Sequence, residues 1–352
     1  MSVLNQLPSV LVPWHRANKR ALPWRVDSSP YHTWLSEIML QQTRIEAVIP
    51  YYYRFLNELP TIADLADVSE ERLLKLWEGL GYYSRARNLK KAATILMEQY
   101  GGNLPANADE LRRLPGIGDY TAGAIASMAF GKPEPAVDGN VLRVITRITG
   151  DDSDIALAAT KKQITSKLRE VYPSGNDARD FTEGLMELGE TICIPAGEPK
   201  CSVCPAGEFC LARKQGLTQT LPVKSAKKER KIQQKTILLL RCNGKYGIRK
   251  RPAKGLLAGM WEFPSVDDGS TLDLQREWKQ LYSLQENTLQ EIGEAVHVFT
   301  HIEWHMKGLF AECKTPASDL IWVTPKELVH EIALPTAFRT YKKWILENEE
   351  NV

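Results

Sequence analysis

The stretch LPGIGDYTA (residues 114–122) connects two segments with helical periodicity and contains two glycines, Gly116 and Gly118. Glycine adopts backbone angles that other residues avoid, so the chain can turn sharply there. The turn leaves N–H groups exposed at the start of the next helix, where they and the helix dipole favour an anion such as phosphate. An ordinary turn between two helices would use glycine in the same way. The stretch therefore predicts a helical hairpin, with a phosphate contact as one of two interpretations.

Helical periodicity continues on both sides of this hairpin, over residues 30–192. Thr61 and Asn107 are expected N-caps, and Glu110 is expected to complete a capping box with Asn107. Ser69 precedes Glu70 and Glu71, which suit the positive end of a helix that begins there. Apolar residues recur at three- and four-residue spacing in several segments: Leu73, Leu74 and Trp77; Leu89, Ala92, Ala93 and Leu96; Leu185, Leu188 and Ile192. No comparable strand alternation is present, so we predict an all-α domain over residues 1–222.

Four of the six cysteines lie within residues 193–210, at Cys193, Cys201, Cys204 and Cys210. Four thiolates in so short a segment can close around one metal centre. A zinc ion and a four-iron cluster have the same number of ligands, so the spacing alone does not name the metal. Because the N-terminal sequence lacks the apolar core of a signal peptide, we expect a reducing, cytoplasmic location.

The composition narrows the class of protein. The 352 residues are 43% hydrophobic, which is enough for a core and favours two domains over one. No apolar run is long enough to span a bilayer. The net charge is only +2, so binding of nucleic acid requires locally concentrated positive charge. Residues 223–235 carry six basic side chains against one acidic, a pattern typical of a solvated interdomain linker.

The remaining residues, 236–352, have a different pattern. Residues 236–242, 246–251 and 261–266 favour strands, and apolar and polar side chains alternate over most of 297–310. Helical patterns return at residues 325–331 and 336–346. We predict a smaller α+β domain for this part of the chain.

Two acidic residues are candidates for chemistry. In PAVDGNVLR (135–143), Asp138 or Asn140 could cap the helix that begins near Val141, or Asp138 could place a carboxylate beside a developing positive charge. A capping hydrogen bond holds the side chain in a fixed orientation, so the two interpretations are compatible. Glu37, in WLSEIMLQQTR (34–44), lies among apolar neighbours, where burial would raise its pKa and keep it protonated near neutral pH. A surface glutamate paired with Arg44 is the alternative.

Several segments occur together and in order: SEIMLQQTR (36–44), EGLGYYSRARNL (78–89), LPGIGDYTAGAI (114–125), VDGNVLRV (137–144) and the clustered cysteines. They closely resemble the adenine DNA glycosylases of the MutY type, in the endonuclease III superfamily. The segments LLAGMWEFPS (256–265) and FTH (299–301) look like the Nudix-like C-terminal domain of that family. The resemblance covers most of residues 20–310. It implies a helix-hairpin-helix glycosylase domain with an iron–sulfur loop, followed by an α+β Nudix-like domain.

The resemblance implies roles for four residues in hydrolysis of an adenine N-glycosidic bond. By match, Glu37 would be the general acid that protonates N7 of the flipped base. Asp138 would stabilise an oxocarbenium-like sugar, and Asn140 would help to hold the base and the catalytic groups. Tyr120 stands where lyase members carry a lysine that forms a Schiff base. Tyrosine cannot form that adduct, so little or no lyase activity is expected; simple packing is the alternative role of this side chain.

Further residues match positions that contact DNA in the family. The implied adenine pocket comprises Trp24, Arg25, Leu40 and Glu183, although Trp24 and Leu40 could equally be core residues. Contacts with the 8-oxoguanine strand, and filling of the gap left by the flipped base, are implied for Gln42, Thr43, Leu80 and Tyr82. One of the adjacent Tyr82 and Tyr83 is expected to be buried. The loop that inspects 8-oxoguanine is implied to be Phe299, Thr300 and His301, and the phosphate contact to be at Gly116 and Gly118.

The resemblance also implies one structural [4Fe–4S] cluster on Cys193, Cys201, Cys204 and Cys210, with zinc as the alternative. Seven residues separate Cys193 from Cys201, one more than is usual in the family, and a surface loop absorbs such an insertion easily. No nucleotide cofactor is expected. The residues after WEFPS lack the paired glutamates with which Nudix hydrolases bind magnesium. The C-terminal domain, residues 236–352, is therefore expected to recognise the lesion rather than to catalyse.

The predicted function is base-excision repair by a monomeric glycosylase acting on duplex DNA with adenine opposite 8-oxoguanine or guanine. The basic residues within 223–235 would add salt-sensitive affinity for DNA. No membrane contact is expected, and association with repair or replication proteins is compatible with the sequence. Two alternatives stay open: a bifunctional pyrimidine-lesion glycosylase/lyase, and a non-catalytic DNA-mismatch binder.

Overall fold

The structure is a computed structural model that describes residues 3–226, 229–267, 278–279, 281–285 and 288–349. The chain divides into two compact units. The first comprises Met1–Asp67 and Asn88–Ala226, and the second comprises Val68–Arg87 and Lys227–Val352. None of the helices among the described residues is long and apolar enough to cross a membrane.

The part of the chain before residue 227 is helical throughout its described residues, as the periodicity predicted. Its α-helices are α1 Leu7–Asn18, α2 Pro23–Val26, α3 Pro30–Leu40, α4 Ile45–Glu58, α5 Ile62–Asp67, α6 Glu70–Leu76, α7 Ser84–Gln99, α8 Ala108–Leu111, α9 Asp119–Phe130, α10 Gly139–Thr149, α11 Ala158–Arg169, α12 Asn176–Thr191 and α13 Leu211–Gln215. Short 3-10 turns occur at Val3–Gln6 and Cys201–Val203.

The predicted N-caps are confirmed, but of the capping box expected at Asn107 and Glu110 the described residues show only the bonds to the Asn107 side chain. The side chain of Asn107 accepts the backbone N–H groups of Asp109 and Glu110 at 2.7 and 3.3 Å. Ser69 caps α6 by accepting the backbone N–H of Arg72 at 3.2 Å. Each bond satisfies a backbone donor that the first turn of a helix leaves without an intrahelical partner.

Helix α9 lies unusually close to the segment before α10. A Cβ placed on Gly123 of α9 would lie 2.2 Å from the carbonyl oxygen of Pro135, a distance that no side chain tolerates. Glycine at this position therefore lets residues 135–138 pass directly over α9. This approach brings Asp138, the N-cap of α10, towards Tyr120 in the first turn of α9.

The second unit is built on a mixed sheet in the order β3-β2-β1-β6-β5. Its strands are β1 Lys231–Cys242, β2 Lys245–Lys250, β3 Trp261–Glu262, β4 Ser265–Asp267, β5 Gln290–Val298, β6 Ile302–Glu312 and β7 Ile321–Val323. Strands β1 and β6 pair in parallel, and β5 and β6 pair antiparallel. The short strands β4 and β7 pair antiparallel with β1 and β2, respectively. Helices α14 Pro325–His330 and α15 Arg339–Glu347 complete the predicted α+β unit, and α6 belongs to it as well.

Two boundaries differ from the sequence prediction. Residues 231–235, which we assigned to the linker, are the start of β1, because their backbones pair with residues 302–306 of β6. Val68–Arg87, which we assigned to the helical domain, groups with the C-terminal residues. Polar contacts explain this grouping: Lys342 Nζ lies 2.9 Å from Glu78 Oε1, and Arg87 Nη1 donates to the Ala258 carbonyl at 2.7 Å.

One prediction about the Nudix-like part concerns residues that lie mostly outside the described ranges. The segment after WEFPS, in which we found no paired glutamates, includes residues 268–277 and 280, about which the structure gives no description.

Candidate active site

Glu37 is an acidic residue inside the helical core. It lies on α3, whose residues are buried on nearly every face, and its exposure is 4%. The interpretation as a surface glutamate paired with Arg44 is therefore wrong. Burial, reinforced by the charge of Asp138 and opposed by a hydrogen bond from Tyr120, raises the pKa of Glu37 to about 7. The carboxyl is consequently able to hold a proton at neutral pH.

Asp138 is both an N-cap and a held carboxylate. Its Oδ1 accepts the backbone N–H of Val141 at 2.8 Å, and its Oδ2 accepts the Asn140 side-chain amide at 3.1 Å. Arg143 Nη2 in turn donates to Asn140 Oδ1 at 3.0 Å, which fixes the amide. Burial raises the pKa of Asp138, while these donors and the charge of Arg143 act in the opposite direction. The net effect is a raised pKa, and the hydrogen bonds give the carboxyl group a fixed orientation.

Tyr120 lies next to both carboxyl groups. Burial first, then the charges of Glu37 and Asp138, raise the pKa of its phenol well above the ordinary value. The hydroxyl hydrogen-bonds Glu37 and also lies 3.8 Å from the sulfur of Met186. Tyr120 is thus a neutral donor to Glu37 that lies within the electrostatic reach of Asp138, and the alternative of simple packing does not account for these interactions.

Glu37 faces a cavity that collects the residues implied for an adenine pocket. Trp24, Arg25, Leu40 and Glu183 all line it together with Glu37. The sequence analysis missed further lining residues: Leu22, Thr33, Ser36, Ile45, Met128, Met186 and Glu190. Helical spacing could have indicated some of them, because Thr33 precedes Glu37 by one turn and Met186 and Glu190 follow Glu183 on the same face of α12.

Glu183 is held by several cations at the wall of this cavity. Arg179 Nε donates to its Oε1 at 2.9 Å, and Arg25 Nε lies 3.4 Å from its Oε2. Although burial alone would raise it, the pKa of Glu183 is lowered by hydrogen bonds from His15 and Arg179 and by the charges of Arg179 and Arg25. The pocket therefore contains a protonatable acid, Glu37, and an ionised acceptor, Glu183.

The hairpin between α8 and α9 has the geometry that its glycines predicted. Gly116 has φ +81°, and a Cβ there would lie 2.8 Å from the Cβ of Asn88. Gly118 is the N-cap residue of α9 and provides no side-chain cap. The first backbone N–H groups of α9 are therefore not capped by a side chain of Gly118, and they suit binding of an anion.

The end of α3 carries strained backbone next to the pocket. Gln42 has φ +58°, which is rare for a residue with a side chain. The neighbouring Gln41 amide donates to Thr121 Oγ1 at 3.2 Å, and the Thr43 backbone N–H donates to the Leu40 carbonyl at 3.2 Å. Such conformations persist where the surroundings impose them, often at ligand contacts.

In the second unit, the side chain of Tyr82 is exposed to solvent and that of Leu80 is buried. Tyr82 is 45% exposed with φ +47°, whereas Tyr83 is 4% exposed, so one of the two tyrosines is buried as predicted. Leu80 is 6% exposed. A side-chain contact of Leu80 with DNA is therefore not supported, because its apolar side chain is packed inside the protein.

The turn Phe299-Thr300-His301 joins β5 to β6, and the Phe299 N–H donates to the Ile302 carbonyl at 2.8 Å. Phe299 packs edge-on against buried Trp304, with ring centroids 4.9 Å apart. The Thr300 hydroxyl lies 3.2 Å from the Tyr82 hydroxyl, and these three turn residues line one cavity with Tyr82. Two predicted contacts from distant segments are thereby brought together.

The four clustered cysteines line one cavity at the end of α12. Burial first, then the charges of the other three cysteines, raise the pKa of Cys204 to about 11, so the four sulfurs lie close to one another. Arg147 Nη1 lies 3.4 Å from Cys193 Sγ. A positively charged metal centre would offset the mutual repulsion of four thiolates, so the donor set fits a cluster. Among the described residues, no group of three His, Cys, Asp or Glu side chains is arranged to hold a single metal ion.

The additional residue between Cys193 and Cys201 is accommodated in an exposed loop. The Lys200 N–H donates to the Ile192 carbonyl at 3.0 Å, which closes the base of the loop. Residues 195–198 are exposed, and Gly197 has φ +76°. The seven residues between the two cysteines thus form a surface loop whose base is closed by a backbone hydrogen bond.

Comparison with known proteins agrees with this geometry. Residues 35–174 match the family described as HhH-GPD superfamily base excision DNA repair protein, and residues 236–344 match the NUDIX domain. A thermostable thymine-DNA glycosylase is similar in structure, with a TM-score of 0.55 and 29% identity over 60% of this chain and 97% of that one. An endonuclease III in a non-covalent DNA complex has a TM-score of 0.50 and 27% identity over 62% and 99% of the two chains. The first part of the chain is thus a helix-hairpin-helix base-excision repair glycosylase, and a Nudix-like domain follows it.

Full-length relatives define the family more narrowly. The adenine DNA glycosylase of Homo sapiens is 35% identical, over 94% of this chain and 73% of that protein. The adenine DNA glycosylase of Buchnera aphidicola subsp. Schizaphis graminum is 32% identical, over 93% and 94% of the two chains. This chain belongs to the adenine DNA glycosylase family.

Proposed function

We propose that this enzyme hydrolyses the N-glycosidic bond of adenine opposite 8-oxoguanine or guanine in duplex DNA. It would act on DNA in the cytoplasm as a monomer and leave an abasic site without cutting the strand. The observation that carries the proposal is the buried Glu37, which lines the same cavity as Glu183, hydrogen-bonds Tyr120 and is raised in pKa by the nearby charge of Asp138.

The first step would be proton transfer from Glu37 to adenine N7. Protonation makes the base a better leaving group, and a positioned acid typically contributes about 10²–10⁴ in rate. The extruded base would lie in the cavity between Trp24 and Leu40, with Glu183 accepting from its amino group. These contacts would offset the cost of unstacking the base.

Departure of adenine leaves positive charge on the sugar, and the ionised Asp138 would stabilise it. The bond between C1′ and N9 breaks with its electrons going to the base, and water then adds to C1′ and releases a proton. Asn140 and the Val141 N–H hold the Asp138 carboxylate in place. Tyr120 would orient Glu37, and it has no amine with which to attack C1′.

DNA would be held by the α8–α9 hairpin and by Gln42 and Tyr82, two residues with positive φ. We assign phosphate binding to the N–H groups near Gly116 and Gly118, and contacts at the lesion to Gln42, Thr43 and Tyr82. Their backbone conformations support this assignment, because φ values of +58° at Gln42 and +47° at Tyr82 would otherwise be costly.

The test of this function is incubation with duplexes that carry adenine opposite 8-oxoguanine, guanine, cytosine or thymine. We expect free adenine and alkali-dependent breaks with the two purines only. A parallel arm with borohydride should trap no covalent protein–DNA adduct. A trapped adduct would favour the bifunctional lyase, and binding without release of a base would favour the mismatch binder.

The Tyr82–Thr300 hydroxyl pair gives a prediction about lesion preference. Changing Thr300 to alanine should lower the single-turnover rate on A:8-oxoguanine by about two- to tenfold, the worth of one hydrogen bond, with a smaller change on A:G. Thr300→Ser keeps the hydroxyl and is the matched control. Equal losses on both substrates, or equal losses in both variants, would show that the turn does not read the lesion.

We further propose that the cysteine cavity holds one [4Fe–4S] cluster with a structural role. When bound, the cluster would cross-link the loop; the residues that would hold it are Cys193, Cys201, Cys204 and Cys210. Purified protein should contain about four iron atoms and four sulfides per chain. Cys204→Ser should lose them along with DNA affinity, whereas Cys242→Ser, a buried cysteine of the second unit, should keep them. One zinc per chain without iron would contradict the assignment.

A further inference from the structure

His15 is a titratable residue on an apolar face of helix α1. It follows Leu7 and Leu11 at four-residue spacing on α1, and like them it is fully buried, at 0% exposure. Its Nδ1 lies 3.1 Å from Asp180 Oδ1, and its Nε2 lies 3.3 Å from Glu183 Oε2. The proposed chemistry uses neither His15 nor Asp180, so these contacts require another explanation.

The two contacts define what the ring can do. Each ring nitrogen faces a carboxylate oxygen, so the ring lies between Asp180 and Glu183. Asp180 is itself fixed by Arg16, whose Nε lies 2.6 Å from Asp180 Oδ2. The ring is therefore anchored at Nδ1 by Asp180, and this outer anchor directs Nε2 at Glu183.

Glu183 is the one of these carboxylates that reaches the pocket. His15 approaches it from α1, Arg25 from α2 and Arg179 from its own helix, so three side chains limit its movement. An ionised carboxylate in this position only accepts hydrogen bonds. It would favour a purine with an amino group at C6 and disfavour one with a carbonyl there.

The chemistry of adenine places these groups on one edge. N7 and the 6-amino group are adjacent on the same side of the base. An acid that reaches N7 and an acceptor that reaches the amino group must therefore line the same cavity, as Glu37 and Glu183 do.

We propose that His15 is a positioning residue that fixes Glu183 as the acceptor for the 6-amino group of the extruded base. This inference rests on the proposed adenine glycosylase function. His15 does not touch the substrate; it acts through Glu183. Its removal should therefore change selectivity among purines rather than catalysis of every purine.

The experiment compares single-turnover release of adenine and of unsubstituted purine, which lacks the amino group, from duplexes with 8-oxoguanine opposite. In His15→Gln the ratio of the adenine rate to the purine rate should fall by about two- to tenfold, because Glu183 loses the 3.3 Å contact with Nε2 that positions its carboxylate. Arg169→Gln, which loses an ion pair to Glu134 and has no part in the His15–Asp180–Glu183 contacts, should keep the wild-type ratio. In a Glu183→Gln background, His15→Gln should have no further effect on the ratio.

A purely structural role would lower both rates equally in His15→Gln, and that result would overturn the proposal. If His15→Gln does not fold, Asp180→Asn removes the outer anchor and decides the matter. A reduced ratio in that variant supports the proposal, and an unchanged one overturns it. Failure of wild-type protein to release either base would instead refute the proposed function itself.

Discussion

Replacing Glu37 by glutamine is expected to slow adenine release by about 10²–10⁴-fold, because the amide cannot donate a proton to the leaving base. Glutamine has nearly the same shape, so the buried position on α3 should remain filled. Single-turnover assays on A:8-oxoguanine duplexes measure the chemical step, and gel-shift titration measures the affinity for DNA. We expect the affinity to be within a few-fold of wild type while base release collapses.

Glu46→Gln is a suitable control for this variant. Glu46 is an exposed acid in the first turn of α4, and its replacement makes the same side-chain change at a position outside the pocket. It should release adenine at the wild-type rate. Full activity of Glu37→Gln would rule out acid catalysis by this residue.

Asp138→Asn is expected to have the second large effect, a loss of about 10²–10³-fold in single-turnover rate. This is the range found when a group that stabilises transition-state charge is removed. Asparagine caps helices as well as aspartate does, so α10 should keep its N-cap. The melting temperature should change little while the rate falls, and measuring both separates the electrostatic role from the capping role.

Asp138→Ala provides the comparison, since it removes the cap as well as the charge. Its melting temperature should drop in addition to its rate, with capping worth about 0.5–2 kcal/mol. If Asp138→Asn were as active as wild type, the residue would be a cap only, and the sugar cation would have to be stabilised by another group.

Much of the fold followed from local sequence pattern. Helical periodicity and capping residues are read over a few neighbouring positions, so the helical domain, the caps at Ser69 and Asn107 and the strands at 236–251 were predictable. Motif resemblance led to Trp24, Arg25, Leu40 and Glu183, which line one cavity with Glu37. In each case the signal was either short-range or carried by a family pattern.

The features that were missed depend on long-range contacts. His15 and Asp180 are 165 positions apart, and no local pattern pairs a histidine on an apolar stripe with a distant aspartate. Residues 231–235 read as a solvated linker, because their membership of the sheet depends on β6, which lies far along the chain. Leu80 was assigned to DNA contact by its position in a motif, although its exposure of 6% places it in the core.

The pH dependence of adenine release tests the paired-carboxyl account most directly. Only protonated Glu37 can act as the acid, and its pKa is raised to about 7, so the single-turnover rate should be maximal below that pH and fall as pH rises through it. Only ionised Asp138 can stabilise the cation, so the rate should also fall at acidic pH, below the raised pKa of that group. In Glu37→Gln the residual rate should lose the alkaline limb. An unchanged alkaline limb in that variant would contradict the account, because another group would then supply the proton.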